Sequence, residues 1–373
     1  MLGKLRTNVD WILFLALLPL MGAGLITMNS FAADNHFFDR QVLWVAVSLA
    51  ALLGLSFFDL RFLRRTDILV GLFLLGTGLL LLLLGVGNTV KGAKAWFSVG
   101  GFSFQPSDPM KLIVILVLAK YFSRRHVEIA NVKHIFISGL YAFVPFVLVL
   151  LEPDFGSAMV IFFIWFGMIV VSGISKKHLF LVFAAGTVAA ALLWSFAFEP
   201  YQKARIMTFL NPLTDVRGAG YNAYQSTIAV GSGELTGKGV GYGTQSRLKF
   251  LPEYQTDFIF AAFAEEWGFV GVLLIFFLFG AVIWRVLKNA LVGATNFEML
   301  YGMGLAIYFM VHFTVNVGMN IGLLPVTGLT IPFMSYGGSH LLTEGIGLGI
   351  LMGMRKGSRT AHRDLMKNEF LGI

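Results

Sequence analysis

The stretch Phe250-Leu251-Pro252-Glu253-Tyr254-Gln255-Thr256-Asp257-Phe258-Ile259-Phe260 stands where a long polar loop gives way to an apolar run. Pro252 stops any helix arriving from the loop, and Thr256 or Asp257 is suited to cap the helix that starts next. A second reading makes Asp257 a carboxylate on the floor of a cavity, reached from one side of a membrane. The two are compatible, because a capped helix end is a rigid mount for a base.

The membrane follows from composition. The chain has 373 residues, of which 57% are hydrophobic and 13% charged. A soluble domain has about 25% charged residues. Half that share cannot cover a water-facing surface, so the solvent of this chain is lipid. Cysteine is absent, which excludes a disulfide framework and a thiolate zinc site. The net charge of +8 would suggest nucleic acid in a soluble chain. Here the positive-inside rule accounts for it, and no nucleic-acid partner is expected. Lys4 and Arg6 precede the apolar run from Val9 to Met28, but that run is long for a signal peptide and no clean small-x-small site follows.

Working outward, the apolar runs predict an all-α integral membrane protein of about ten transmembrane helices, one polytopic domain over residues 1–373. The spans fall near 9–29, 41–58, 67–87, 107–122, 135–151, 156–174, 178–198, 258–286, 298–320 and 330–354. Basic residues follow alternate spans: Arg61, Arg64 and Arg65; Lys120, Arg124, Arg125 and Lys133; Lys176 and Lys177; Arg285 and Lys288; then Arg355, Lys356, Arg359, Arg363 and Lys367. All lie on one side if the count is even, which places both termini in the cytoplasm.

Two outer loops depart from this pattern. One runs from Asn88 to Gln105, with Gly92, Gly100 and Gly101 among Lys91, Lys94 and Trp96. The other is a large extracytoplasmic loop over residues 199–257, between spans seven and eight. A loop of that length is functional or disordered. Tyr201, Tyr221, Tyr224, Tyr242, Phe250 and Leu251 argue for packing, and half-helices lying on the bilayer are expected within it. No internal repeat is visible, which disfavours an inverted-repeat transporter.

A charge inside a span costs about 2.5–3.5 kcal/mol on insertion scales, so it faces a cavity or a partner. Asp108 and Lys111 share a helical face. They form a mutual ion pair, or Lys111 is a cation aimed at an anionic substrate and held by Asp108. Ser107 is the expected cap of that helix. Asp154 in the turn Glu152-Pro153-Asp154 either caps the sixth span or adds a carboxylate at the mouth of the site. His312, Asn316 and Asn320 form one polar stripe, read as interhelical glue or as ligands. One of Glu265 and Glu266 is expected to pair with a basic group below the cavity. Ser335, Gly337 and Gly338 mark a broken or closely packed helix. The glycines from Gly231 to Gly243 are a weak phosphate cradle and no Walker loop.

Taken together, Gln105-Pro106-Ser107, Lys111, Pro153-Asp154-Phe155-Gly156, Gly218-Ala219-Gly220-Tyr221, Gly231-Ser232-Gly233, Gly243-Thr244-Gln245-Ser246, Phe250-Leu251-Pro252-Glu253, Thr256-Asp257-Phe258, Glu265-Glu266 and Pro332-Phe333-Met334-Ser335-Tyr336-Gly337-Gly338 resemble the SEDS family of bacteria (shape, elongation, division, sporulation). The likeness covers nearly the whole chain, and residues 243–252 look more like the elongation members than the division members. The resemblance implies a ten-span peptidoglycan glycosyltransferase that polymerises lipid II on the outer face of the cytoplasmic membrane. It implies a class B penicillin-binding protein as partner, and for elongation members a rod complex with MreB, MreC and MreD. The family's essential carboxylate matches Asp257, and its acidic-x-x-Lys pair matches Asp108 and Lys111. Three positions depart from the family pattern: Asp108 where Glu is usual, Glu152 where Gln is common, and Gln255 where His is common.

The implied reaction inverts the anomeric centre, so it needs a base at the attacking hydroxyl and charge stabilisation at the departing diphosphate. Asp257 is the expected base, favoured as a proton acceptor by the apolar edge of Phe258 and Phe260. Lys111, Arg205, Lys238 and Arg247 are the candidate cations, with Asp108, Asp154 and Ser335 as further substrate contacts. No tightly bound cofactor is expected. A divalent cation, Mg or Mn, is the one metal that would share the charge work, although no convincing ligand cluster is visible. The main alternative is a lipid II flippase, which predicts intramembrane charges running through to the cytoplasmic side. A scaffold for a transpeptidase would leave the polar groups of the 199–257 loop unexplained.

Overall fold

In the computed structural model, residues 9–30, 36–90, 93–99, 102–124, 132–197, 203, 207–210, 220–248 and 250–371 are described. The protein is an all-α bundle with one small sheet. Its helices are α1 (Trp11–Asn29), α2 (His36–Phe57), α3 (Thr66–Val86), α4 (Ser107–Ser123), α5 (Val132–Leu151), α6 (Phe155–Val171), α7 (Lys176–Leu192), α8 (Tyr221–Ser232), α9 (Ile259–Leu291), α10 (Asn296–Asn320) and α11 (Gly338–Leu371). Lipid cannot hydrogen-bond an exposed backbone, so each apolar run satisfies itself as a helix. Among the described residues, α1, α2, α3, α5, α9 and α10 are long and apolar enough to cross a membrane, and α6 is a shorter apolar helix.

Each run read as a span carries a helix. The last one begins at Gly338 rather than near 330, because residues 321–337 form a looped segment over the end of the bundle. The Asn88–Gln105 loop is also more than a loop. It holds a three-stranded antiparallel meander of β1 (Asn88–Val90), β2 (Ala93–Val99) and β3 (Phe102–Phe104). The register pairs Val90 with Ala93 and Val99 with Phe102.

Helix α10 lies at the centre, with 67% of its apolar window buried against 22–44% for the other five apolar spans. Around it pack α4, α6 and α9. Helix α11 lies against α2 at backbone distance: a Cβ on Gly345 would sit 2.3 Å from Ser48 Oγ, and one on Gly349 would sit 3.0 Å from Leu52 O. Small residues at four-residue spacing allow this approach. Gly338 is closely packed in the same way, since a Cβ there would strike the Trp44 ring. The outward faces are apolar, with Phe136, Phe180 and Phe277 exposed, as a lipid-facing surface requires.

Polar side chains gather at two ends of the bundle. At one end Arg285 Nη2 donates to Asp10 Oδ2 (2.6 Å) and Asn289 Nδ2 donates to the same oxygen (2.8 Å). Nearby, Arg64 pairs with Glu298, and Lys120 donates to the Arg64 carbonyl. These contacts join the start of α1, the short 3-10 helix Leu60–Arg64, the end of α4, the far part of α9 and the start of α10. At the other end lie Gln105, Asp154, Asp257 and the 321–337 segment.

Candidate active site

Asp257 is half-buried at the end of the bundle, two residues before α9 begins. The structure corrects the expected cap: Phe258 occupies the N-cap position of α9 and no side chain caps that end. Thr256 turns back instead, its hydroxyl donating to Glu253 O at 3.3 Å. The reason is the path of the chain before the helix. Glu253 has φ +51, and Thr256 N and Phe258 N both donate to its carbonyl (3.1 and 3.2 Å). This turn points the next three carbonyls away from α9.

All three carbonyls are received by other elements. Gln255 O accepts from Tyr336 N at 2.8 Å. Thr256 O accepts from Ser335 Oγ at 2.8 Å. Asp257 O accepts from Asn316 Nδ2 at 2.9 Å and Asn320 Nδ2 at 3.1 Å. The polar stripe of α10 therefore holds the backbone of Asp257, while His312 contacts Thr330 O (3.2 Å). Ser335 is 5% exposed, and its oxygen also accepts from Ile331 N (2.9 Å). The expected substrate contact at Ser335 is thus corrected: its hydroxyl faces protein and fixes the loop beneath Asp257.

The carboxylate lies against the 321–337 segment. A Cβ built on Gly328, at φ +77, would sit 3.5 Å from Asp257 Oδ2. The same segment touches the start of α6, where a Cβ on Gly156 would meet Thr327 O at 2.9 Å. Asp154 caps α6 by accepting from Ser157 N (3.0 Å), and its second oxygen accepts from Gln105 Nε2 (2.8 Å). Both expectations for Asp154 are met in part: it is a cap, and it stands beside the segment that borders Asp257.

Asp108 and Lys111 sit deeper, 2% and 1% exposed. Lys111 Nζ donates to Asp108 Oδ1 at 3.1 Å, so the mutual ion pair is the arrangement present, and aqueous ligands do not reach the ammonium. His340 Nδ1 lies 3.4 Å from the same oxygen, and its Nε2 lies 3.1 Å from Glu344 Oε1. Glu344 Oε2 accepts from Phe333 N (3.0 Å). His340 and Glu344 were detectable in sequence as intramembrane ionisable residues one helical turn apart. Ser107 does not cap α4. Pro106 takes the N-cap position, and Ser107 Oγ has no protein partner.

The glycine-rich stretch is filled from within. Glu265 Oε1 accepts from Thr244 N (2.8 Å), Thr244 Oγ1 (2.9 Å), Gln245 N (3.1 Å) and Lys238 Nζ (2.7 Å). Glu266 Oε1 accepts from Gly241 N (2.6 Å). The phosphate cradle read from these glycines is corrected: Gly241 N holds the Glu266 carboxylate, and Gly233 N, Gly237 N and Gly239 N donate to backbone carbonyls. For this glutamate pair a basic group below the cavity was expected; the partner present is Lys238 of the loop, whose ammonium is shared between Glu265 and Thr244. Arg247 ends the helical turn Thr244–Arg247 and is exposed. Arg205 lies outside the described residues. Among the described residues, no three His, Asp or Glu side chains converge to hold a metal ion.

Helix α9 is broken at Gly268, where φ is +64 and ψ −166. The loop before it fills the break. Phe269 N donates to Glu234 O (2.9 Å) and Val270 N to Leu235 O (3.1 Å), while Lys238 N and Gly239 N donate to Glu265 O and Glu266 O (3.0 Å each). Irregular backbone at this depth is tolerated because the loop satisfies it. No sequence signal marked this break.

Comparison with known proteins gives consistent matches. The family profile of FtsW, RodA and SpoVE, described as a cell cycle protein, matches residues 5–360. Stage V sporulation protein E of Bacillus subtilis is 36% identical over 95% of this chain and 99% of its own length. The peptidoglycan glycosyltransferase MrdB of Escherichia coli is 34% identical over 93% of each chain. Among solved structures, a chain of a peptidoglycan synthase complex that coordinates polymerization and crosslinking superposes with a TM-score of 0.80 at 30% identity, covering 94% of this chain and 98% of that one. The rod shape determining protein RodA of Thermus thermophilus superposes at 0.71, also at 30% identity, covering 94% and 97%.

Proposed function

This chain belongs to the SEDS family of FtsW, RodA and SpoVE, and from that membership we propose that it is a peptidoglycan glycosyltransferase polymerising lipid II with Asp257 as general base. The observation that carries the reading is the placement of Asp257. It is a half-buried carboxylate on a segment held at three successive carbonyls, at the end of the bundle opposite the Asp10–Arg285 and Arg64–Glu298 contacts. A rigidly held base within reach of water and lipid is what abstraction of a sugar proton requires.

The sugar O4 of one lipid II molecule attacks the anomeric carbon of the growing strand. The C1–O bond to the prenyl diphosphate breaks as the O4–C1 bond forms, with inversion to a β-1,4 link. The hydroxyl proton passes to the Asp257 carboxylate, and the prenyl diphosphate leaves with the bonding electron pair. Arg247 and Lys238 are the candidate loop cations for that charge, with Arg205 as a further candidate. Asp108 and Lys111 support the floor of the site from within.

Buried polar groups also bear on the flippase alternative. On α10, Glu298 and His312 are separated by about 20 Å of helix rise, and the buried residues between them are Leu300, Tyr301, Gly302, Gly304, Leu305, Ala306, Tyr308 and Phe309, none of them charged. A path for a charged headgroup needs charged groups through that middle, and this packing favours a reaction at one face.

A class B penicillin-binding protein is the partner that belongs with this reading. The finer assignment is to cell elongation, with MreB, MreC and MreD. It rests on residues 243–252 and is tested by depletion in the native host: rounded cells are expected, and filaments would reassign the protein to division. For the chemistry, purified protein given lipid II should form glycan strands. Asp257→Ala and Asp257→Asn should each abolish strands while the protein stays folded. Strands at the wild-type rate from Asp257→Asn would remove the base.

A further inference from the structure

The three carbonyls before α9 are held by side chains and backbone from parts of the chain far away in sequence, and the holders form one connected set. Asn320 Nδ2 donates both to Asp257 O (3.1 Å) and to Asn316 O (2.8 Å). Asn316 Nδ2 donates to Asp257 O (2.9 Å) and to Leu329 O (2.7 Å). Ser226 Oγ, on α8 in the large loop, donates to Asn320 O (3.0 Å) and lies 3.1 Å from Asn320 Oδ1. Ser335 Oγ donates to Thr256 O. Ser226, Asn316 and Asn320 are fully buried.

None of these groups reaches into the half-exposed space beside Asp257, and all of them end on its backbone or on the backbone around it. From this geometry we infer that Asn316, Asn320 and Ser335 are positioning residues for the transfer reaction, which set the Asp257 carboxylate by fixing the three carbonyls behind it. The inference rests on Asp257 being the base. A buried amide that donates to the backbone of another element has one consequence for chemistry: it decides where the residue carrying that backbone can point. In a pre-organised site, a displacement of about 1 Å costs on the order of 100-fold in rate. Two donors meet at Asp257 O, so losing one leaves the other. The predicted loss for Asn320→Ala is therefore about tenfold in kcat, and for Asn320→Ala with Ser335→Ala about 100-fold.

The test is steady-state polymerisation of lipid II by the full-length protein, with thermal stability in detergent and lipid II affinity measured on the same preparations. The expected result is a fall in kcat, with KM and lipid II affinity held within about twofold and a melting temperature that does not track the loss. Ser335→Thr keeps the hydroxyl and should retain most of the rate that Ser335→Ala loses. Asp257→Ala is run alongside. If Asp257→Ala is inactive and Asn320→Ala has wild-type kcat, positioning is overturned and the base stands. If KM rises and kcat holds, these residues bind substrate and the inference is overturned. If kcat falls only as far as the folded fraction falls, their role is structural and the inference is overturned. If Asp257→Ala is active, the base reading fails and takes the inference with it.

Discussion

Glu152 stands fully buried in the turn between α5 and α6, and neither of its carboxylate oxygens has a protein partner. Burial first, and the neighbouring Asp154 second, push its pKa from 4.5 up to about 8. At neutral pH the side chain is therefore a neutral acid, close in shape to the glutamine that the SEDS resemblance anticipates there. The sign of the linkage follows. Between pH 4.5 and about 8 the folded protein keeps a proton that the unfolded chain has lost, so stability falls as pH rises through that window and levels off above it. Glu152→Gln removes the proton from the cycle. Its melting temperature should match wild type near pH 4 and exceed it by a widening margin toward pH 9, the bounds being set about one unit outside the window. Parallel melting curves for the two proteins across that range would mean that Glu152 ionises as an ordinary carboxyl. The same residue shows what the sequence could carry. The turn Glu152-Pro153-Asp154 was legible as a cap and a candidate mouth residue. The burial that neutralises Glu152 is a property of the packed bundle, and no local pattern encodes it.

At the scale of elements, apolar runs marked the helices because lipid admits little else, and ends moved by a few residues where caps were misassigned. Ser107, Thr256 and Asp257 all have cap chemistry, yet the chain approaches α4 through Pro106, so that Ser107 is already its first helical residue, and α9 through a left-handed Glu253, so that α9 starts two residues past Asp257. The meander at Asn88–Phe104 was hidden because its glycines read as loop, although Ala93-Lys94-Ala95-Trp96-Phe97-Ser98-Val99 is a plausible strand length. The break in α9 was hidden for a different reason. Gly268 sits in an apolar run where one glycine more is unremarkable, and its role appears only against Gly237 and Leu235. A Cβ at Gly268 would lie 2.3 Å from Gly237 N and 2.7 Å from Leu235 O, in a backbone conformation closed to other residues. Gly268→Ala should therefore cost at least about 2–3 kcal/mol of local stability. It should also release residues 233–247 from α9. Limited proteolysis should cut that stretch faster in the variant while the membrane helices stay protected. An unchanged cleavage rate would mean that the break does not hold the loop. Because Lys238 and Arg247 ride on this loop, the same variant should lose polymerisation.

Across the whole molecule, the two groups of polar side chains divide the work. The Asp257 group carries the carboxylate proposed as base and the residues around it. The Asp10 group ties five segments together through Asp10, Arg285, Asn289, Arg64, Lys120 and Glu298. Along α9, Asp257 and Arg285 are about 40 Å apart by helix rise, too far for a direct effect of one on the other. A transferase acting at one face makes the Asp10 group purely structural. A transporter makes it the exit of a polar path. Asp10→Ala separates the two. It removes the partner of Arg285, whose side chain is 9% exposed, along with the cap on Leu13 N. Breaking a buried pair in this way costs about 3–5 kcal/mol, so the melting temperature should fall clearly. The kcat for glycan synthesis per folded molecule should stay at the wild-type value, because no group near Asp257 has changed. Arg285→Met with Asp10→Leu, which removes both charges, should recover part of the stability at that same kcat. If Asp10→Ala instead halts glycan synthesis in protein that is still folded, the Asp10 group takes part in turnover and the one-face reaction is wrong.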